Sequence, residues 1–170
     1  MRAESAERTC SRALGLLCVA MASLSTTIRS GQAEDLSAVL ALLRGAKLPT
    51  DGMASAPDLQ FWVLEAGQSL VGVIGMERFG ASALLRSLAI APAYQRQGLG
   101  HKLVASLERN ACSKGIEQLV LLTETAEAFF KGIGFEVVDR RSVSDEIKQS
   151  AEVRSLCPAS AVCMTKSVLA

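Results

Sequence analysis

Residues 83–113 constrain the fold more tightly than any other part of this chain. Ala83–Ala91 (ALLRSLAIA) is a nearly unbroken apolar run that stops at Pro92. Such a run suits a central strand covered on both faces. A polar turn follows. Gly98 and Gly100 then open a stretch to Ser113 in which Leu99, Leu103, Val104 and Leu107 share one helical face. The pattern asks for a sheet with a helix packed on it, joined by a turn in which glycine permits positive φ and close approach of a ligand. The first amides of that helix lack internal partners and lie at its positive end. They suit an anion, and pyrophosphate is the natural guest.

Two nucleotide motifs are excluded at this point. A dinucleotide fingerprint needs a third glycine where Leu103 stands, and no GxxxxGK[ST] string occurs. On the GxG alone, a plain turn before a helix remains the favoured reading.

The rest of the chain alternates between the two periodicities. Ser25–Arg29 reads as a short strand. Ala33–Arg44 carries the Leu36, Val39, Leu40, Leu43 stripe of an amphipathic helix. Leu48–Pro57, with two prolines and a glycine, reads as loop. Leu59–Glu65 and Ser69–Phe79 read as a hairpin through Ala66-Gly67-Gln68. Beyond the central helix come a core strand at Ile116–Thr123, a short helix at Thr125–Lys131 and a strand at Phe135–Val138. A short helix at Val143–Gln149 and a last strand at Ser160–Lys166 complete the chain. The class is α/β with a mixed sheet.

With 170 residues, 49% of them apolar and 21% charged, the chain suits one domain with a real core. We expect that domain over residues 21–170. Residues 1–20 set a basic stretch before the apolar Ala13–Ala20 and imitate a weak signal peptide without a clean cleavage site. They are expected to be a disordered extension, or to precede a true start at Met21. A net charge of +1 gives no electrostatic pull toward nucleic acid or membrane, and no apolar run is long enough to span a bilayer. Five cysteines (Cys10, Cys18, Cys112, Cys157, Cys163) with no CxxC spacing make neither a disulfide framework nor a zinc knuckle. They read as buried, reduced thiols of a cytoplasmic protein. The single histidine, His101, rules out a His-rich metal site, so no metal is expected.

Two further strings carry a resemblance. Gln95-Arg96-Gln97-Gly98-Leu99-Gly100 matches a Q/R-x-x-G-x-G/A signature, and residues 126–135 (AEAFFKGIGF) match A-x-x-F-Y-x-x-x-G-F. In that order and spacing they resemble the GNAT N-acetyltransferases, from about Thr26 to Lys166. The strings ALLRSLAIAP, LLTETAEAFF and SLCPASAVCM are similar to the arsenic-resistance subgroup of that family, which implies a role in arsenical detoxification. The implied fold is a mixed sheet of six to seven strands with a V-shaped split and helices on both faces. The implied activity is transfer of acetyl from acetyl-CoA to the amine of a small, amino-acid-like acceptor. An acyl-CoA-binding sensor and a peptide or protein N-acetyltransferase are the alternatives. The resemblance leaves room for a homodimer.

The resemblance also implies a site. The split would lie between strands 83–91 and 116–123. Backbone groups of Leu88, Ala89 and Ile90 would bind the pantetheine arm, with Leu88 N–H polarising the thioester carbonyl. Gln95, Arg96, Gln97, Gly98, Leu99, Gly100 and His101 would surround the pyrophosphate. Arg96 reads equally as a solvated turn residue, and His101 is not expected to be catalytic. Phe130 stands where many members carry a tyrosine general acid, and Leu84 where histone-type relatives carry a glutamate base. Phe130 is then expected beside the acceptor, and Glu77 is the chosen base, directly or through water. Arg86, two residues from both Leu84 and Leu88, should share their face and point toward the split. There it would meet an acceptor carboxylate or an internal glutamate. Cys157 and Cys163 are soft ligands, but nothing in the sequence brings a third thiol to them for an arsenite site.

Overall fold

The computed structural model describes residues 25–168 apart from Gly52 and residues 54–57. The expectations for residues 1–20 and Met21, and for Cys10 and Cys18, lie outside these residues. Among the described residues, seven strands form one sheet in the order β1-β2-β3-β4-β5-β7-β6. The strands are β1 (Thr26–Ser30), β2 (Leu59–Ala66), β3 (Ser69–Phe79), β4 (Ser82–Ile90), β5 (Gln118–Thr123), β6 (Glu136–Val138) and β7 (Val162–Ser167). Every neighbouring pair is antiparallel except β4 and β5. The α/β class with a mixed sheet therefore holds.

The alternation of each strand divides its side chains between two cores. Trp62, Leu64, Ile74, Met76, Ala83, Leu85, Leu119, Leu121 and Met164 face α2 (Leu99–Ser113), with Leu99, Leu103, Val104 and Leu107 as its buried stripe. Phe130 and Phe135, from and just beyond α3 (Glu127–Gly132), close the same layer. On the opposite face Val63, Val73 and Ala89 pack on α1 (Leu36–Gly45) through Val39 and Leu43. Leu84, Val120 and Cys163 pack on Val143 and Ile147 at α4 (Asp145–Lys148). Helices thus cover both faces, and the middles of β4 and β5, Ala83–Leu85 and Leu119–Leu121, are apolar because both of their sides are buried.

Two expectations need correcting here. Cys112 is exposed on the last turn of α2, so the thiols are not all buried. It follows Ala111, the final position of the apolar stripe, and so faces outward. The second concerns β4. Its register on β3 slips between Val73 and Gly75, and Ser87 takes φ +60°. This β-bulge inverts the alternation. Arg86 stays on the face of Leu84, whereas Leu88 and Ile90 pack against the α2 core. Arg86 and Leu88 therefore do not share a face.

Candidate functional site

The parallel pair that closes the sheet also opens the site. β4 and β5 are in register only at Ser82–Leu84 against Gln118–Val120. Beyond Leu84 the strands separate. A cleft of about 480 Å³ lies between Leu85–Ile90 on one side and Leu121–Ala126 on the other. That volume is typical of a small-molecule site. The amide of Ala91 donates to Val71 O at 2.8 Å, so odd-numbered residues after the bulge bond to β3. Successive residues of a strand present their polar groups to opposite edges. The backbone groups of Leu88 and Ile90 accordingly point into the cleft, a strand edge that no neighbouring strand pairs and that an extended ligand can join. Gln95 Nε2 donates to Ile90 O at 2.9 Å and borders the same cleft.

At the far end of β4, Pro92–Tyr94 makes one 3-10 turn and the chain enters α2 through two left-handed residues, Arg96 (φ +60°) and Gly98 (φ +74°). Gly98 is the N-cap of α2 and has open space where a Cβ would stand. Gln95, Arg96, Gln97 and His101 are exposed, while Leu99 is buried and anchors the helix. No capping side chain bonds the first amides of α2. Gly100 lies beneath Phe129, whose ring would be 3.4 Å from an added Cβ, and His101 meets that ring edge-on at 4.9 Å. The helix start and α3 are thus held together by an aromatic contact. Tyr94 packs against the α2 core.

Phe130 is buried, borders the cleft and packs edge-to-face with Phe129 and Phe135. It holds no proton for transfer. Arg86 is a buried charged group in the cleft wall, with its side chain 2% exposed. Its Nη1 donates to Glu77 Oε2 at 3.4 Å, and its Nη2 lies 2.9 Å from Glu152 Oε2. The second approach is a charge contact without an in-line hydrogen bond, and both Arg86 Nε and Glu152 Oε2 are buried with no hydrogen-bond partner among the described residues. Glu77 stands behind Arg86 and is not among the cleft-lining residues. Of the two readings open for Arg86, the internal-carboxylate pairing is present. Its other partner is a residue the sequence reading missed.

Glu152 opens a π-helical turn, Glu152–Leu156, between α4 and β7. No periodicity marks so short an element, so sequence carries no signal for it. The turn brings Glu152, Leu156, Cys157 and Pro158 to the cleft. Arg140 clamps its end, with Nη1 donating to Pro158 O at 3.3 Å and Nη2 to Cys157 O at 3.4 Å. Cys157 Sγ–H donates to Glu152 Oε1 at 3.4 Å. Burial, and then the Glu152 charge, push the Cys157 thiol up to about 12, so no thiolate forms there at neutral pH. Burial raises the Cys163 thiol as well. Among the described residues, no group of three or more His, Cys, Asp or Glu side chains is placed to hold a metal ion.

Comparison with known proteins agrees with this geometry. Residues 45–150 match the model of an acetyltransferase (GNAT) domain. No curated protein matches the sequence. Among solved structures, N-acetylglutamate synthase from Neisseria gonorrhoeae, complexed with coenzyme A and N-acetyl-glutamate, is similar with TM-score 0.74 and 18% identity. The match covers 86% of this chain and 36% of that one, so the chain spans little more than a third of the synthase. The ribosomal-protein-S18-alanine N-acetyltransferase of Escherichia coli gives TM-score 0.69 at 21% identity, covering 86% of this chain and 96% of that one. A PaiA N-acetyltransferase from Thermoplasma acidophilum, in complex with coenzyme A, gives 0.64 at 20%, covering 84% and 99%.

Proposed function

The chain belongs to the GNAT acetyltransferase family, and on that footing we propose that it transfers acetyl from acetyl-CoA to the primary amine of a small, amino-acid-like acceptor. The observation that carries this reading is the parting of β4 from β5 beyond Leu84, which leaves the backbone of Leu88 and Ile90 facing an open cleft. The pantetheine arm lies along that edge as an added strand. Its pyrophosphate sits on the amides from Arg96 to His101, where the left-handed residues Arg96 and Gly98 turn the chain around the phosphates. Coenzyme A in the Thermoplasma structure supports this placement at the level of the shared fold.

Leu88 N–H donates to the thioester carbonyl and stabilises the oxyanion that develops there. The acceptor amine attacks the carbonyl carbon, a C–N bond forms, and the C–S bond breaks. The sulfur leaves as thiolate. With an ordinary thiol pKa of about 8.5, it needs no strong acid, which suits a site where Phe130 replaces a phenol. The amine's proton passes to Glu77 through an intervening water, because Glu77 is engaged by Arg86 and does not border the cleft. Arg86 anchors a carboxylate of the acceptor and so aims its α-amine.

The likeness of ALLRSLAIAP, LLTETAEAFF and SLCPASAVCM to the arsenic-resistance subgroup supports an arsenical amino acid as acceptor. A sensor that binds acyl-CoA without turnover is favoured by the missing phenol at Phe130 and the missing glutamate base at Leu84. Release of coenzyme A from acetyl-CoA against a panel of amino acids, including phosphinic and arsenical ones, tests the proposal. Turnover with at least one α-amino acid is expected. Tight acetyl-CoA binding with no turnover on any amine would replace the enzyme reading with the sensor.

A further inference from the structure

We propose that Glu152 is an exchangeable occupant of the Arg86 anion site, displaced by the acceptor's carboxylate when the acceptor binds. The inference rests on the reading of Arg86 as the acceptor's anchor and names the residue that guards it.

A guanidinium buried for structure alone is held by well-directed, preferably two-pronged bonds that use its donors. Arg86 is not held in that way. Its one in-line hydrogen bond, to Glu77, is long at 3.4 Å, and its Nε is buried without a partner. Glu152 supplies charge at 2.9 Å, yet its Oε2 accepts no hydrogen bond. Each such group in a native protein asks for an explanation. Here the explanation is a site shaped for a different carboxylate and filled loosely by an internal one.

Charge balance requires exchange rather than addition. Arg86, Glu77 and Glu152 together carry one negative charge. A third carboxylate beside one guanidinium would be repelled in a site of low dielectric. Replacing Glu152 by the ligand leaves the total unchanged. Lys47 and Glu124, both exposed on the cleft border, contribute opposite charges there and do not alter the balance.

The element that carries Glu152 suits this movement. A single π-helical turn is an uncommon structure, frequent at functional positions. Its ends are fixed, by buried Ile147 and Ser150 before it and by the Arg140 clamp on Cys157 and Pro158 after it. Between them Arg154 and Ser155 are exposed. Glu152 itself is retained by the Arg86 charge and one long bond from Cys157 Sγ. It can swing outward without unfolding its neighbours.

The test uses the full chain saturated with coenzyme A, and L-glutamine with its α-amide as probes. In wild-type protein, L-glutamine should speed amide hydrogen exchange across residues 152–156 at least fivefold, and the α-amide should not. For Glu152→Gln, the ratio of Kd for the α-amide to Kd for L-glutamine should rise at least threefold, with coenzyme A binding as the check of folding. Unchanged exchange in wild-type protein, or an unchanged ratio in Glu152→Gln, overturns the exchange. Arg86→Ala separates the two readings. If it leaves the discrimination between acid and amide intact, or if neither probe binds wild-type protein, the anchor itself is wrong. If it abolishes discrimination while Glu152→Gln changes nothing, only the role of Glu152 falls.

Discussion

Arg86 and Gly98 carry opposite ends of the proposed reaction, and each can be tested by its own substitution. Arg86→Ala should slow transfer to a carboxylate-bearing acceptor by the equivalent of about 2–5 kcal/mol, since the contact is desolvated. Arg86→Lys keeps the charge without the two-pronged geometry and should mainly raise KM for the acceptor. Steady-state kinetics with an amino acid and its amide decide the matter. A purely structural Arg86 would slow both by one factor and lower the melting temperature. Gly98→Asp places a carboxylate where the proposed pyrophosphate site lies, in open space that a side chain can occupy. Acetyl-CoA affinity by calorimetry should fall at least tenfold, about 1.4 kcal/mol. An unaltered affinity in a folded variant would remove the pyrophosphate from this turn. Both residues were legible in the sequence, Gly98 from its place in QRQGLG and Arg86 as a lone charge in an apolar strand. Glu152 was not, because nothing local distinguishes it from the other acidic residues of the chain.

At the scale of elements, β4 shows how one residue sets the function of a strand. Alternation predicts Leu88 on the face of Arg86, and Ser87 at φ +60° reverses it. The left-handed region costs a β-branched residue more than it costs serine. Ser87→Val should therefore destabilise the fold by about 1–2 kcal/mol in urea unfolding. It should also weaken acetyl-CoA binding, because a regular strand turns the Leu88 and Ile90 backbone out of position. Lost stability with full affinity would detach the bulge from the site. The long elements were readable because each buries enough to imprint a pattern on sequence: α2 a helical stripe through Leu99, Leu103, Val104 and Leu107, β3 an unbroken apolar run over Val71–Met76. The π-helical turn buries only Glu152 among its residues, so its sequence has no period to read.

Across the whole molecule, one surface network ties the first strand to the sheet. Arg29 on β1 donates to Asp35 at 2.6 and 2.8 Å and to Glu65 on β2 at 2.6 and 3.0 Å. The Arg29 hydrogen bonds, followed by the Gln32 amide, hold the Asp35 carboxyl at about 2. Its folded pKa lies below the unfolded value of about 3.9, so its contribution is present above that value and lost as pH falls toward 2. Stability followed by denaturant unfolding should decline through that window, and Asp35→Asn should flatten the decline. Asp139, held at about 2 by Arg141, and Asp145, lowered by its bond from Lys148, act with the same sign and add to the slope that remains. An identical slope in Asp35→Asn would show that this network does not link β1 to the fold. The sequence by itself determined the α/β class, the two-faced cover of β4 and β5, and the glycine turn into α2, because these are periodic or steric demands written within a few residues. Tertiary structure alone decided where β4 parts from β5, which way Leu88 faces, and that Arg86, Glu77 and Glu152 share one charge cluster. Those depend on strand register and on contacts between residues up to 66 positions apart, from Arg86 to Glu152, and no local period encodes them.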